Sequence, residues 1–212
     1  MKKAIVFDLD GTLANSSTCI IETMHSVARI MNLPPVSDDA IRGMIGKHLN
    51  EMFPTLYNLE GESVDRAIAL YSSEYVRLTA TLERLFDGAL ELIQHLSNTD
   101  VLLAIATGKS QSGAENACQR LGLTSYMDSI HGIIPGTPGK PDPAVLIRAM
   151  EALNVSADEC VLIGDTTFDM QLSQAVGVKA IGVNWGVHSK TMLEEFGVTV
   201  VEDFDGLQAL LN

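Results

Sequence analysis

The stretch KAIVFDLDGTL, residues 3–13, joins a short apolar segment to a group of turn-forming residues. The four apolar residues after Lys3 predict a buried strand over Lys3–Phe7, because strands covered on both faces read as unbroken apolar runs. Asp8 and Asp10 follow at once, and the next Gly and Thr favour a turn. In an open parallel sheet, ligands bind beyond the carboxyl ends of the strands. The stretch therefore predicts an α/β protein with an acidic site at the end of its first strand.

Strand-like and helix-like segments alternate along most of the remaining chain. Further strands are predicted at Val101–Ala106, Ser129–Ile134, Cys160–Ile163, Val178–Val183 and Val198–Val201. Helices are predicted at Ala89–Ser97, Ser112–Leu121, Pro143–Leu153, Phe168–Ala175 and Phe204–Leu211. Strands separated by helices in this rhythm predict parallel pairing, with helices on both faces of the sheet. The expected fold class is α/β, a doubly wound parallel sheet with a Rossmann-like core.

One long segment, residues 15–85, interrupts this rhythm. It contains no strand pattern, and its apolar residues recur with helical spacing, as in Ile20, Met24, Val27 and Met31. This pattern predicts an inserted all-helical cap domain over residues 15–85. The α/β catalytic core domain would then comprise residues 1–14 and 86–212.

Composition limits the classes of partner. The chain has 212 residues and a formal net charge of −13, from 14 Lys and Arg against 27 Asp and Glu. Such an acidic surface repels nucleic acids and anionic membranes, so neither is an expected partner. The longest apolar run, Val101–Ala106, is too short to cross a bilayer. Three widely spaced cysteines predict buried or half-buried thiols in the reducing cytoplasm. The expected oligomeric state is a monomer or a homodimer.

Polar residues follow several of the predicted strands at the same edge of the sheet. Thr107 and Gly108 follow the second strand, Asp165 follows the fourth, and Lys140 lies just before a helix. A cluster of carboxylates is costly unless a cation neutralises it, and hard oxygen ligands favour Mg²⁺. Magnesium with an ammonium and a hydroxyl is suited to holding a phosphoryl group, which a free carboxylate such as that of Asp8 can attack.

Four short motifs together resemble the haloacid dehalogenase superfamily of phosphatases. They are Asp8-Leu9-Asp10-Gly11-Thr12-Leu13, Ala106-Thr107-Gly108, Gly139-Lys140-Pro141 and Gly164-Asp165-Thr166-Thr167-Phe168-Asp169. The stretches Ile41–Gly46 and Asn184-Trp185-Gly186 are most similar to the phosphoglycolate phosphatase-like branch, whose members carry a helical cap. The sequence departs from that branch at Ala14-Asn15, where a Val-Asp pair is common, and along Ile133–Gly139.

The resemblance implies a role for each residue of the catalytic group. Asp8 would be the nucleophile that forms an aspartyl-phosphate intermediate. Asp10 would protonate the leaving oxygen and later take a proton from the hydrolytic water. Thr107 and the Gly108 amide would hold phosphoryl oxygens, and Lys140 would offset the charge that develops between Asp8 and the phosphate.

The resemblance also implies a magnesium site. Asp8, the backbone carbonyl of Asp10 and Asp165 would hold Mg²⁺, and Asp169 would order the residues around those ligands. The expected reaction is hydrolysis of a small phosphorylated metabolite, a phosphoglycolate-like ester or a sugar phosphate.

Substrate specificity is expected to come from the insertion. Arg42, Lys47 and His48 lie near its turn at residues 43–46 and are candidates for binding a second anionic group of the substrate. The alternative, that they are ordinary exposed charges on helices, stays open at this point.

Three other functions share parts of this chemistry. A phosphomutase of the same superfamily would use the same Asp8 and Asp10 but exclude water, and an inorganic pyrophosphatase would use them on an anhydride. A phospho-accepting signalling module also combines acids, a Thr and a Lys around Mg²⁺. Such modules are shorter, at about 120 residues, and carry the reactive Asp after a later strand. The insertion and the position of Asp8 therefore argue against a signalling module.

Overall fold

A computed structural model describes residues 4–211 of the chain and places most of its strands in one parallel sheet. The strands are β1 (Ala4–Phe7), β2 (Ala14–Asn15), β3 (Arg84–Leu85), β4 (Leu102–Ser110), β5 (Ser129–Ile133), β6 (Cys160–Gly164), β7 (Lys179–Val183) and β8 (Thr199–Val201). Six of them form the sheet in the order β5-β4-β1-β6-β7-β8. The strand β1 lies inside this sheet and the chain winds outward from it in both directions, so the predicted doubly wound fold is confirmed.

Ten α-helices lie within residues 4–211. They are α1 (Ser17–Met31), α2 (Asp38–Arg42), α3 (Leu49–Tyr57), α4 (Glu62–Leu82), α5 (Ala89–Ser97), α6 (Gln111–Arg120), α7 (Ala144–Leu153), α8 (Thr167–Val176), α9 (Lys190–Glu194) and α10 (Phe204–Leu211). The five helices predicted for the α/β part are all present, and their ends differ from the predicted ends by at most one residue. Helix α9 was not predicted, because five residues are too few to show a helical period.

The strands of the parallel sheet agree with the sequence prediction to within one residue, except at one end. Strand β4 continues four residues beyond the predicted end at Ala106, because its pairing with β5 shifts register and resumes between Ser110 and Ile133. The predicted first strand begins at Lys3, which lies outside the described residues.

The two faces of the sheet are covered by different helices. Alternate residues of β1 point in opposite directions, so Ile5 and Phe7 belong to one apolar cluster while Val6 belongs to another. Helices α5, α6 and α10 contribute to the first cluster, and α7 and α8 contribute to the second. Between these layers the sheet is buried on both faces, which explains the unbroken apolar runs in its central strands.

Helices α1 to α4 form the insertion between β1 and α5. They have an apolar core of their own, which includes the fully buried Met24, Ile41, Phe53 and Ala67. The prediction of a segment without strands was wrong at its two ends, where Asn15 pairs with Arg84 in the antiparallel strands β2 and β3. A two-residue strand leaves no periodic signal in the sequence. We refer to residues 15–85 as the insertion.

The structure also bears on the expectations about membrane spans and cysteines. No helix within residues 4–211 combines the length and the apolar character needed to cross a bilayer. Cys19, Cys118 and Cys160 are free and buried.

The register of the central strands determines which polar residues meet. Phe7 of β1 is level with Ile105 of β4 on one side and with Ile163 of β6 on the other. The residues that follow these three positions therefore reach the same edge of the sheet, and they include Asp8, Thr107 and Asp165.

Candidate active site

The turn after β1 folds tightly against the end of β6. The Asp8 amide donates to the Ile163 carbonyl at 2.9 Å, and the Gly11 amide donates to the Ala14 carbonyl at 2.9 Å. Gly11 has φ +84°, and a Cβ atom there would lie 2.1 Å from Asp165 Oδ2. Only glycine allows this conformation and this approach without strain, so the turn brings Asp8 and Asp165 together.

Lys140 joins two buried carboxylates. Its Nζ lies 2.7 Å from Asp8 Oδ1 and 2.6 Å from Asp169 Oδ1, and all three side chains are at most 1% exposed. The other oxygen of Asp8, Oδ2, is buried and accepts no hydrogen bond from the described residues. A buried carboxylate oxygen without a donor is costly unless a ligand meets it. Asp8 thus has one oxygen held by Lys140 and one available to a ligand.

Asp165 and Asp169 are oriented by their neighbours. Thr12 Oγ1 donates to Asp165 Oδ1 at 2.8 Å, and the Val187 amide donates to Asp165 Oδ2 at 2.8 Å. Thr166 Oγ1 donates to Asp169 Oδ2 at 2.6 Å, in a capping box that starts α8. Oxygen atoms of Asp8, Asp165 and Asp169 lie within 4.8 Å of one another.

The charges of this group fit a divalent cation. Burial raises the pKa of Asp8 to about 7, although the Lys140 ammonium opposes this shift. Burial also raises the pKa of Asp165 well above its usual range, and the neighbouring Asp8 and Asp169 raise it further. Three buried carboxylates thus lie together, and one ammonium contacts two of them, Asp8 and Asp169. A hard cation with oxygen ligands would relieve the repulsion that remains. This chemistry fits the predicted Mg²⁺.

Asp10 has a different environment from Asp8. Its Oδ1 accepts a hydrogen bond from Ser16 Oγ at 2.6 Å, and its Oδ2 lies 3.0 Å from Lys109 Nζ. Asp10 also lines a pocket of about 220 Å³ between the α/β part and the insertion. The site therefore places one carboxylate inside the buried acidic group and a second one at the pocket.

Lys109 is the functional candidate that the sequence analysis missed. Besides Asp10, its Nζ contacts Tyr75 of α4, 3.0 Å from the hydroxyl and 4.5 Å from the ring centroid. Burial alone would lower the pKa of Lys109, but Asp10, Tyr71 and Glu83 together outweigh burial, and the pKa is raised. The available signal was its position two residues after Thr107, at the same strand end.

Thr107 and Gly108 lie at the same edge, under the insertion. Thr107 is buried, and its Oγ1 accepts a hydrogen bond from the Lys109 amide at 3.3 Å. A Cβ atom on Gly108 would lie 2.2 Å from the Gly46 carbonyl oxygen. The absence of a side chain at Gly108 thus lets the loop at Gly46 come close to the sheet edge.

The three candidate residues of the insertion, Arg42, Lys47 and His48, differ in their position relative to the pocket. Lys47 lines the pocket, but its Nζ is 2.8 Å from Glu51 Oε2 and 4.9 Å from the centroid of the Phe168 ring. His48 also lines the pocket and caps the N-terminus of α3. Arg42 is exposed and lies outside the residues that line the pocket, so the structure does not bring it to the site.

The tight turn at Gly11 carries a testable prediction. We expect Gly11→Ala to lower the free energy of unfolding by about 2–4 kcal/mol, because it adds a clash with Asp165 to the strain of a positive φ. Gly122→Ala is the matched control: Gly122 has φ +72° and nothing within 4 Å of its Cβ position. Urea unfolding of both variants separates the cost of the clash from the cost of the positive φ. Equal losses in the free energy of unfolding would show that the contact with Asp165 costs nothing.

Comparisons with known proteins identify the family to which the chain belongs. The model of the haloacid dehalogenase-like hydrolase family matches residues 5–183. The chain is 31% identical to a probable phosphatase, IndB, of Dickeya dadantii, over 96% of this chain and 90% of that protein. It is 26% identical to a phosphoglycolate phosphatase of Rhodospirillum rubrum, over 98% of this chain and 90% of that protein.

A solved structure gives the same result for the fold. A haloacid dehalogenase-like family hydrolase from Streptococcus pneumoniae superimposes with a TM-score of 0.88 at 27% identity, covering 100% of this chain and 99% of the other. The predicted family and the predicted class of enzyme are confirmed. The chain is a phosphatase that belongs to the haloacid dehalogenase-like hydrolase family.

Proposed function

We propose that the protein hydrolyses a small phosphate monoester with Mg²⁺, through an aspartyl-phosphate on Asp8. One observation carries the proposal. Asp8 Oδ2 is buried without a hydrogen-bond donor while Oδ1 is held by Lys140, so the free oxygen is available to attack phosphorus. Thr107, the Gly108 amide and Lys140 would bind the phosphoryl oxygens and stabilise the charge that develops on them.

The first step transfers the phosphoryl group to the protein. An oxygen of Asp8 forms a bond to phosphorus as the bond between phosphorus and the ester oxygen breaks. Asp10, in its protonated form, gives its proton to that oxygen, and a neutral alcohol leaves. Asp10 suits this role because it lies apart from the buried acidic group and lines the pocket into which the leaving group extends.

The second step returns the protein to its starting state. A water molecule attacks the phosphorus of the aspartyl-phosphate, and the Asp10 carboxylate takes a proton from that water. The bond between phosphorus and Asp8 breaks, which releases inorganic phosphate and restores the Asp8 carboxylate. Lys109 and Ser16 would hold Asp10 in place in both steps, because each contacts one of its two oxygens.

The metal site would use the residues that the sequence predicts. Asp8, Asp165 and the backbone carbonyl of Asp10 would hold Mg²⁺, and Asp169 would support them through Lys140 and Thr166. When bound, Mg²⁺ neutralises part of the carboxylate charge and polarises the phosphoryl group.

The proposal also includes the domain organisation, the cellular location and the partners of the protein. The insertion over residues 15–85 would act as a cap domain on a core domain of residues 1–14 and 86–212. The substrate would be a small phosphorylated metabolite of the cytoplasm, and the protein would act as a monomer or a homodimer without nucleic acid or membrane partners.

Phosphate release with and without metal tests this proposal. We expect Mg²⁺-dependent release from at least one ester in a panel that includes phosphoglycolate, a sugar phosphate, p-nitrophenyl phosphate and pyrophosphate. EDTA should lower the rate by at least about 100-fold, and added Mg²⁺ should restore it. Equal rates with EDTA and Mg²⁺ would contradict the proposal. Release from pyrophosphate alone would favour a pyrophosphatase, and isomerisation of a sugar phosphate without release would favour a mutase.

A further inference from the structure

The pocket beyond Asp10 has an apolar wall. Side chains from α1, α3, α4 and the loop before α3 form this wall, namely Ile20, Ile45, Leu49, Met52, Ile68 and Val76. Tyr71 and Tyr75 also line the pocket, with their rings stacked at 5.5 Å. A sugar or a short hydroxy acid has few groups that would bury against such a wall, whereas a hydrocarbon skeleton would bury well.

The cations of the pocket are already paired. Among the described residues that line it, the Lys and Arg side chains are Lys47, Lys109 and Arg120. Each has its own carboxylate partner, in the pairs Lys47–Glu51, Lys109–Asp10 and Arg120–Glu83. With Asp10 ionised, each positive charge is matched by a negative one. When Asp10 carries the proton of the first step, Lys47 and Arg120 keep their carboxylate partners, so the pocket offers little attraction to a second anionic group on the substrate.

The histidine of the pocket adds no positive charge. Burial lowers the pKa of His48, against the opposing effect of Glu51. Its Nδ1 accepts a hydrogen bond from the Asn50 amide at 3.2 Å, which requires that nitrogen to carry no proton. Both facts favour a neutral imidazole, which can bind a hydroxyl group and does not attract a carboxylate.

We propose that the substrate of this site is the phosphate monoester of a neutral alcohol with a largely apolar skeleton, about the size of one substituted ring. The size follows from the pocket volume of about 220 Å³, since apolar cavities of about 150 Å³ bind benzene. This inference rests on the proposed phosphatase function and refines it. It replaces the carboxylate-bearing or sugar substrates that the sequence predicts with an uncharged, apolar leaving group.

A matched pair of esters tests the inference. Benzyl phosphate and 4-carboxybenzyl phosphate share a leaving group of nearly the same size and differ by one carboxylate, and phosphoglycolate is the third substrate. We expect kcat/KM for benzyl phosphate to exceed the values for both carboxylated esters by at least about tenfold, because their carboxylates would enter a pocket without a free cation. Mg²⁺ is present at a saturating concentration throughout.

A variant that leaves the Lys47 ammonium without its carboxylate partner tests the reason for this preference. Glu51→Gln removes the carboxylate partner of Lys47 and so frees an ammonium that faces the pocket. We expect it to raise kcat/KM for 4-carboxybenzyl phosphate relative to benzyl phosphate by about threefold or more. Glu62→Gln is the matched control, because Glu62 is exposed at the start of α4 and does not line the pocket. Its ratio should equal that of the wild type.

The outcomes separate this inference from the function on which it rests. Phosphate release that favours phosphoglycolate or 4-carboxybenzyl phosphate overturns the inference and leaves the phosphatase function intact. An unchanged ratio in Glu51→Gln overturns the explanation by paired charges. Release from none of the esters, p-nitrophenyl phosphate included, overturns the proposed function and the inference together.

Discussion

The Asp8→Asn variant is expected to release phosphate at least about 10³-fold more slowly than the wild type, because an amide cannot serve as the nucleophile. Asp8 has the one buried side-chain oxygen of the acidic group that lacks a hydrogen-bond donor among the described residues. The substitution also replaces a carboxylate that faces Lys140 Nζ at 2.7 Å. Initial rates with p-nitrophenyl phosphate and saturating Mg²⁺ measure the effect.

A matched control separates the loss of the nucleophile from a change in overall charge. Asp65→Asn removes a carboxylate from an exposed position in the first turn of α4 and should keep the wild-type rate. Circular dichroism should show that Asp8→Asn is folded. A folded Asp8→Asn protein with more than about a tenth of the wild-type rate would contradict the assignment of the nucleophile.

Lys140→Met should have the largest effect on stability. Lys140 is fully buried and neutralises both Asp8 and Asp169, so its loss leaves two buried carboxylates without their cation. Breaking a buried ion pair from one side costs about 3–5 kcal/mol, and we expect a loss of that size in the free energy of unfolding. Phosphate release should also fall by at least about 100-fold, because the ammonium would stabilise charge in the transition state.

The pH dependence of this loss follows from the same contacts. The Lys140 ammonium holds the pKa of Asp8 down against the effect of burial, so removing it raises that pKa further. Asp8 has a pKa of about 7 in the folded wild type and would bind its proton still more tightly in the folded variant. The deficit in stability should therefore shrink as the pH falls toward about 7, and change little below that, where Asp8 is protonated in both folded proteins.

Urea unfolding in the presence of EDTA, at several pH values, measures the loss. Lys190→Met is the control, because Lys190 pairs with Glu202 at 2.7 Å on the exposed surface. Exposed ion pairs contribute little to stability, so this variant should unfold almost as the wild type does. Equal losses in the two variants would show that Lys140 does not stabilise the buried acidic group.

The parts of the fold that the sequence predicts well are those with local signals. The unbroken apolar run before Asp8 and the turn formers after it determine a buried strand and a tight turn within about ten residues. The same kind of signal follows the apolar runs of β4 and β6, although β4 itself continues to Ser110. Because parallel strands present their carboxyl ends at one edge, these local signals are enough to bring Asp8, Thr107 and Asp165 together.

The parts that the sequence does not predict depend on contacts between distant residues. Lys109 meets Asp10 and Tyr75 only after the insertion has packed against the sheet edge. The pairing of Lys47 with Glu51 is an exception, because it is a local contact that the spacing of four residues already allows. The exposure of Arg42 depends on how the short helix α2 packs. Side-chain charges alone therefore suggest an anion site in the insertion, whereas the structure shows a pocket whose cations are paired.

The proposed mechanism depends on the formation of an aspartyl-phosphate on Asp8, and a variant that separates the two steps should trap this intermediate. In Asp10→Ala, p-nitrophenyl phosphate should still react, because p-nitrophenolate leaves without a proton from Asp10. The second step should be slow, since no carboxylate takes the proton from water. The phosphorylated protein should therefore accumulate.

The measurement is a rapid-quench burst experiment with Asp10→Ala, followed by peptide mapping of the phosphorylated residue. We predict a burst of p-nitrophenol close to one equivalent per protein and an acyl-phosphate, sensitive to hydroxylamine, on Asp8. A burst with the phosphoryl group on another residue, or turnover of Asp10→Ala without any phosphorylated protein, would contradict the proposed mechanism.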